Sequence, residues 1–352
     1  MSAAQTPVSQ LLERNLCAFA GKRLLVAGYL EDNYPLTLVK QASSWHLFTT
    51  DYGRWRQLSA AAASSQHAQI SYSHQLTGEH PAFDALLLLL PKAKAETQYL
   101  LANLLPHLKT GGEIFLAGDN RGGINGADKL LAPYCEQSQK IDSARRCSLV
   151  HGQLQHPVTA FELDTWLQRY PLVLGHQQLT VLALPGVFSA DGLDEGTQLL
   201  LEHLPPLHGR VLDVGCGAGV IGSALAMLRP ELEIEMCDIN ALALESARRT
   251  LAANGLQARV YPSDMLSDVA GSLQHIVTNP PFHAGLKTLY GPSEQLILEA
   301  PQKLAAGGSL LLVANAFLKY QPFLQRAFKQ TQSIAENKKF RLYHSFGPTK
   351  LS

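Results

Sequence analysis

Asn279-Pro280-Pro281-Phe282 places an amide side chain, two rigid imino acids and an aromatic ring in four consecutive positions. The apolar run His275-Ile276-Val277-Thr278 before it reads as a buried strand. Neither proline donates a backbone hydrogen bond and each fixes φ, so the strand ends there, and the preceding residue is pushed out of helical geometry. Alone, the tetrapeptide would be a loop with a buried phenylalanine. As a stiff turn, it can accept hydrogen bonds from an exocyclic amine through the Asn279 oxygen and the Pro280 carbonyl, while Phe282 stacks on the ring bearing that amine. Such an amine is a poor nucleophile because its lone pair is delocalised. Two acceptors on its N–H bonds localise that pair, and the rest is proximity and alignment with an electrophile. His283 follows, but this chemistry needs no strong base in advance.

Roughly sixty residues earlier, Arg210-Val211-Leu212-Asp213-Val214 followed by Gly215-Cys216-Gly217-Ala218-Gly219 reads as strand and glycine loop, opening onto a helix over Val220 to Leu228. The glycines permit positive φ and close backbone approach, and N–H groups at the helix start are expected to face a ligand. Residues 217–222 also fit the dinucleotide fingerprint G-x-G-x-x-G. Asp213 argues against a pyrophosphate there, since a carboxylate repels phosphates, and suits a cationic ligand carrying an ammonium and a sulfonium. Asp238 ends the next strand, 23 residues after Gly215, where an acid can accept both ribose hydroxyls. Ser263-Asp264-Met265 follows the strand Arg259-Val260-Tyr261; there Asp264 either holds an adenine amine or caps a helix.

Together these features resemble the class I S-adenosylmethionine-dependent methyltransferases over roughly residues 186–320. Residues 184–200, with Val313 to Leu318 and Asp142 to Cys147, resemble more narrowly the bacterial small-subunit ribosomal RNA guanine-N2 methyltransferases, which extends the likeness to nearly the whole chain. The resemblance implies S-adenosylmethionine as cofactor, and methylation of the N2 amine of a 16S rRNA guanine in the small ribosomal subunit. It implies Asn279, Pro280, Pro281 and Phe282 as the catalytic set. The implied cofactor set is Asp213, Gly215, Cys216, Gly217, Gly219, Asp238, Ile239, Asp264, Met265 and Asn279. In the family, the block from Leu184 lies over the cofactor. Two other readings stand beside it. One keeps the class but changes the acceptor to another exocyclic amine or a protein glutamine amide, whose enzymes often carry Tyr at the Phe282 position. The other is a nicotinamide-dependent dehydrogenase, against which Asp213 and the lack of a hydride-site His/Lys or Tyr/Lys set both count.

The 352 residues are natural for two domains, and the halves look like copies. Gly21 to Gly28 parallels Gly209 to Gly215. Gly28 to Asp51 repeats the 23-residue gap of Gly215 to Asp238, and Gly111-Gly112 repeats Gly307-Gly308. Leu25 and Ala27 are set opposite Asp213 and Val214, and Leu89-Leu90-Pro91-Lys92 stands where Asn279 to Phe282 stands. Strands alternating with helical stretches argue α/β architecture. The expectation is two tandem Rossmann-like methyltransferase domains, 1–160 degenerate and without a cofactor site, and 161–352 catalytic.

Net charge is zero, with 29 basic and 29 acidic residues, which argues against binding of nucleic acid through bulk charge. Residues 303–352 nevertheless hold eight Lys or Arg and one acid, so Lys338, Lys339 and Arg341 are a candidate phosphate track. Arg145-Arg146 could likewise pair with phosphates or simply face solvent. The five cysteines lack C-x-x-C spacing and read as reduced thiols; no metal site is expected. Glu13 and Arg14 interrupt the only apolar N-terminal stretch, and Ala85 to Leu90 is far too short to span a bilayer. A cytoplasmic monomer with no membrane partner is expected.

Overall fold

The structure is a computed structural model that describes residues 5–62, 69–78, 82–280 and 291–349. The chain divides into two compact units, Met1–Trp166 and Leu167–Ser352. Phe161 and Trp166 pack edge-on against Tyr99, with ring centres 5.2 and 5.7 Å away, so residues 161–166 go with the first unit rather than the second.

The first unit builds a seven-stranded sheet from β1 (Arg23–Gly28), β2 (Ser44–Thr49), β3 (Gln69–Tyr72), β4 (Phe83–Leu89), β5 (Leu108–Asp119), β6 (Ser138–Ala144) and β7 (Cys147–Gln153), in the order β3-β2-β1-β4-β5-β7-β6. The second unit first makes an antiparallel pair, β8 (Gln168–Leu174) and β9 (Gln177–Ala183). Its own seven-stranded sheet has β10 (Arg210–Val214), β11 (Glu233–Asp238), β12 (Arg259–Pro262), β13 (Leu273–Thr278), β14 (Leu304–Asn315), β15 (Phe328–Glu336) and β16 (Phe340–Pro348). Their order is β12-β11-β10-β13-β14-β16-β15, the order of the first unit strand for strand. In each sheet the first five strands are parallel, and the sixth, β7 or β16, runs antiparallel to both its neighbours. Covered on both faces, the central parallel strands are near-continuously apolar, as Ala85 to Leu89 and Ile276-Val277 show.

The paired glycine turns are matched because the backbone demands it. Gly111 and Gly307 take φ of 74° and 82°, and a Cβ on Gly112 or Gly308 would meet a carbonyl oxygen at 2.8 or 3.0 Å. The strand register also corrects two of the expected equivalences. Ala27 pairs with Phe48 as Val214 pairs with Cys237, so Thr49, not Asp51, matches Asp238. Asp51 and Asn240 are instead equivalent helix caps: each side chain accepts a backbone N–H of the helix that follows. Val26, not Leu25, then lies at the Asp213 position, while Gly28 pairs with Leu89 and so puts Leu89 in the place of Asn279.

The strand β9 is bound to a helix by side chains. Ser246, Thr250 and Asn254 lie four residues apart along Ala241–Ala253 and its C-cap, so they share one face. Their side-chain oxygens accept the N–H groups of Leu184, Leu182 and Thr180 at 2.8–3.0 Å. Backbone donors that would otherwise be exposed along β9 are thereby satisfied, and the chain leaving β9 is delivered as Gly186-Val187-Phe188 to the site described below.

β6 and β7 are joined by Arg145-Arg146 alone, and both residues have positive φ, 51° and 65°. For residues with a side chain this conformation costs about 1–2 kcal/mol each.

Candidate active site

The chain runs outward through β10, β11 and β12, then returns to lay β13 on the other side of β10. Open sheets bind ligands at the carboxyl ends of strands around such a reversal. Here the second unit opens a cavity of about 320 Å³. Val214, Gly215 and Gly217 form its floor, and Asp238, Ile239 and Asn240 one wall. Ser263, Met265 and Asn279 complete the strand-end side, and Gly186-Val187-Phe188 cover it. The Phe188 side chain is 55% exposed, and its backbone passes so close that a Cβ on Gly217 would lie 3.4 Å from the Phe188 oxygen.

The glycine loop does not aim its N–H groups outward, contrary to expectation. Gly215 and Cys216 both donate to the Cys237 carbonyl (2.9 and 3.0 Å), Gly217 donates to Asp238 Oδ2 (3.0 Å), and Gly219 to the Cys216 carbonyl (2.8 Å). Gly222 donates to Asp213 Oδ2 at 2.9 Å. Four loop donors and one in the first turn of the helix are thus consumed within the protein, which leaves few for a pyrophosphate. Two of the glycines serve packing: a Cβ on Gly219 would stand 2.9 Å from Ala247 Cβ, and one on Gly222 2.5 Å from Met236 Cε.

Asp213 lies beneath this loop rather than in the cavity lining, only 1% exposed. The helix Val220–Leu228 starts at Gly219, which has no side chain to cap it. Asp213 supplies that cap from the neighbouring strand by receiving the Gly222 N–H. Its other oxygen, Oδ1, is buried without a partner. Burial, with a smaller push from Asp238, raises the carboxyl from 3.8 to about 7 against the Gly222 hydrogen bond. Asp238 accepts from Gly217 and from Asn240 (2.9 Å) while facing the cavity. Asp264 is exposed and outside the lining, where Ser263 and Met265 stand; no helix begins at it among the described residues. Cys216 is buried under the loop.

Asn279 is 8% exposed and lines the cavity. Its Nδ2 donates to Asp194 Oδ2 (2.8 Å) and to Thr197 Oγ1 (3.0 Å). A carboxylate only accepts, so the amide nitrogen must face Asp194, and Oδ1 is left as the acceptor. Asp194 Oδ2 also caps the helix Glu195–Glu202 through the Gly196 and Thr197 N–H groups (2.9 and 3.0 Å). These two residues were not among the expected site residues. Their signal was an Asp followed three residues later by Thr at a loop-to-helix boundary, which marks a cap but not its second client. Thr197→Val leaves one amide hydrogen of Asn279 unpaired, a cost of about 1–3 kcal/mol. The turnover rate is expected to fall about tenfold, with Thr197→Ser close to wild type, in steady-state assays of both variants. Pro280 is buried; Pro281 and Phe282 lie outside the described residues, as does His283.

The basic hairpin tip is partly neutralised. Lys339 Nζ donates to Glu195 Oε1 (2.6 Å), and Arg341 makes two bonds to Glu336 (3.0 and 2.7 Å). All five cysteines are free thiols, and among the described residues no cluster of His, Cys, Asp or Glu is placed to hold a metal.

This sheet order, with an acid ending the second strand of the second unit's seven-stranded sheet (β11) and an oriented amide after its fourth (β13), defines a methyltransferase of the two-domain kind. Residues 178–344 match the methyltransferase small domain, and residues 9–170 its N-terminal companion, methyltransferase small domain N-terminal. Ribosomal RNA small subunit methyltransferase C of Aeromonas hydrophila is 58% identical, covering 98% of this chain and 99% of its own. The protein of the same name from Vibrio vulnificus is 46% identical over 97% and 99%. A solved structure, the T. thermophilus 16S rRNA N2 G1207 methyltransferase in complex with AdoMet and guanosine, superposes with a TM-score of 0.82 at 24% identity, covering 97% of this chain and 92% of that one. The chain belongs to the ribosomal RNA small subunit methyltransferase C family.

Proposed function

We propose that the second unit transfers a methyl group from S-adenosylmethionine to the exocyclic N2 amine of a 16S rRNA guanine, the counterpart of the G1207 for which the T. thermophilus relative is named. The observation that carries this is the Asn279 amide, turned by Asp194 and Thr197 so that its oxygen alone remains to accept at the cavity rim. The cavity suits the cofactor: Asp238 stands where ribose hydroxyls need an acceptor, and Gly217 leaves room under Phe188. When bound, S-adenosylmethionine supplies an electrophilic methyl. Asn279 Oδ1 and the Pro280 carbonyl accept the two N–H bonds of the amine, localise its lone pair and fix its direction. In this reading Phe282 fixes the plane of the base.

The first unit is read as having no cofactor site. Leu30, Tyr34 and Asp32 are buried in the segment that follows β1, where the second unit has its glycine loop, and Leu89 replaces the amide. Among the described residues no helix is long and apolar enough to cross a membrane. We read the protein as a cytoplasmic monomer acting on the small subunit. Tritiated S-adenosylmethionine offered with separate pools of small subunits, naked rRNA and protein tests this. Label is expected at N2 of one guanine in 16S rRNA, with one cofactor bound per chain. Label confined to protein would overturn it.

A further inference from the structure

The helix Glu195–Glu202, whose cap Asp194 turns the Asn279 amide, is eight residues long, too short to be stable by itself. Its first turn must be held from outside. The second residue of that turn is Gly196, and the backbone does not ask for glycine there, since the residue is helical and its φ is not positive. Glycine weakens a helix relative to alanine. What asks for it is close approach: a Cβ on Gly196 would lie 3.0 Å from both Cδ1 and Cε1 of Phe340, and 3.0 Å from Asp194 Oδ2. The Phe340 ring therefore rests on the backbone of the turn whose Gly196 and Thr197 N–H groups fix that oxygen.

Phe340 is itself rigidly mounted. It opens β16 and pairs with Asn315 at the end of β14, the strand beside β13. In the hairpin tip before it, Asn337 Oδ1 accepts the N–H groups of Lys339 (2.9 Å) and Phe340 (2.7 Å). The Asn337 N–H returns to the Phe340 carbonyl, and the Ala316 N–H donates to the Lys339 carbonyl, both at 2.8 Å. The same tip makes the Lys339–Glu195 ion pair, but its side chains are 65% and 57% exposed, and pairs of that kind contribute little. The ring, not the pair, carries the contact.

We propose that Phe340 is a positioning residue for methyl transfer: its ring, seated on Gly196, holds the first turn of the helix in place so that Asp194 keeps the Asn279 oxygen aimed at the acceptor amine. The proposal rests on the reading above that this amide receives the amine. Phe340 does not line the cavity. It acts through Gly196 and Asp194, and they through Asn279.

Single-turnover methyl transfer to small subunits at saturating cofactor tests this. Phe340→Ala is expected to lower the rate about 10- to 100-fold, the cost of misplacing a reacting group by about 1 Å, with S-adenosylmethionine affinity unchanged. In the Asn279→Ala background the same substitution should cost less than about twofold, because the amide it serves is gone, whereas independent effects would multiply. Gly196→Ala approaches the contact from the other side and carries the test should Phe340→Ala fail to fold. Alanine favours the helix, yet its methyl collides with the ring and with Asp194 Oδ2. Gly196→Ala should therefore be slow as well, and adding Phe340→Leu, which clears the ring, should recover part of the rate. Phe340→Ala or Gly196→Ala at the wild-type rate overturns the proposal, as do losses in Phe340→Ala and Asn279→Ala that multiply. If Asn279→Ala is itself as fast as wild type, the proposed function has failed and takes this proposal with it.

Discussion

Asn279→Ala is expected to lower the single-turnover rate of methyl transfer by about 10²–10³-fold, the scale on which one preorganised polar group contributes to a transition state. That loss equals about 3–4 kcal/mol of barrier. S-adenosylmethionine affinity should change far less, because Asn279 is one of thirteen described residues around the cavity and both its amide hydrogens already point away to Asp194 and Thr197. Rapid-quench measurement at saturating cofactor separates the two effects. The isosteric change Asn279→Asp is the sharper variant. It sets a second carboxylate where the amide now donates to Asp194 at 2.8 Å, and two carboxylates that close raise the pKa of one of the pair. Asn279→Asp should therefore be as slow as the alanine variant at pH 8 and partly recover as pH falls and the pair takes up a proton. A wild-type rate in either variant would remove the amide from the mechanism.

The second large effect is a pH dependence of stability. Asp213 titrates at about 7 in the folded protein, against 3.8 ordinarily. Between those values the unfolded chain has released its proton and the folded chain keeps it, so stability falls as pH rises. Below 3.8 both states are protonated and the term vanishes; above 7 it is at its full size, up to about 4 kcal/mol. Asp213→Asn retains an oxygen for the Gly222 N–H but cannot titrate. Denaturant unfolding of the cofactor-free protein at pH 4.5 and 8 should show wild type losing about 2–4 kcal/mol relative to Asp213→Asn across that interval. Parallel behaviour of the two proteins would show that the carboxyl ionises at its ordinary value.

Much of this architecture could be read from residue types. The helix expected over Val220 to Leu228 has those bounds, and the strand expected before Asn279 is β13. The glycine pairs at 111–112 and 307–308 mark equivalent turns because each requires positive φ and a missing Cβ. Spacing misled where it counted residues rather than register. The equal gaps from Gly28 and Gly215 equated Asp51 with Asp238, although pairing across β1 and β2 shows that Asp51 is a helix cap two residues further on. The helix that follows the block from Leu184 begins at Glu195, because Asp194 caps it. Least legible were contacts remote in sequence. Asp194 and Asn279 meet from 85 residues apart, and the inward turn of the glycine-loop donors depends on the Cys237 carbonyl, which belongs to a different strand.

The Asp194 carboxylate serves two masters at once, the first turn of an eight-residue helix and the reactive amide. Helix ends open at far lower free energy than whole domains unfold. Each opening of that turn releases the amide to rotate, so warming should silence the enzyme below its melting point, reversibly, with the sheet still intact.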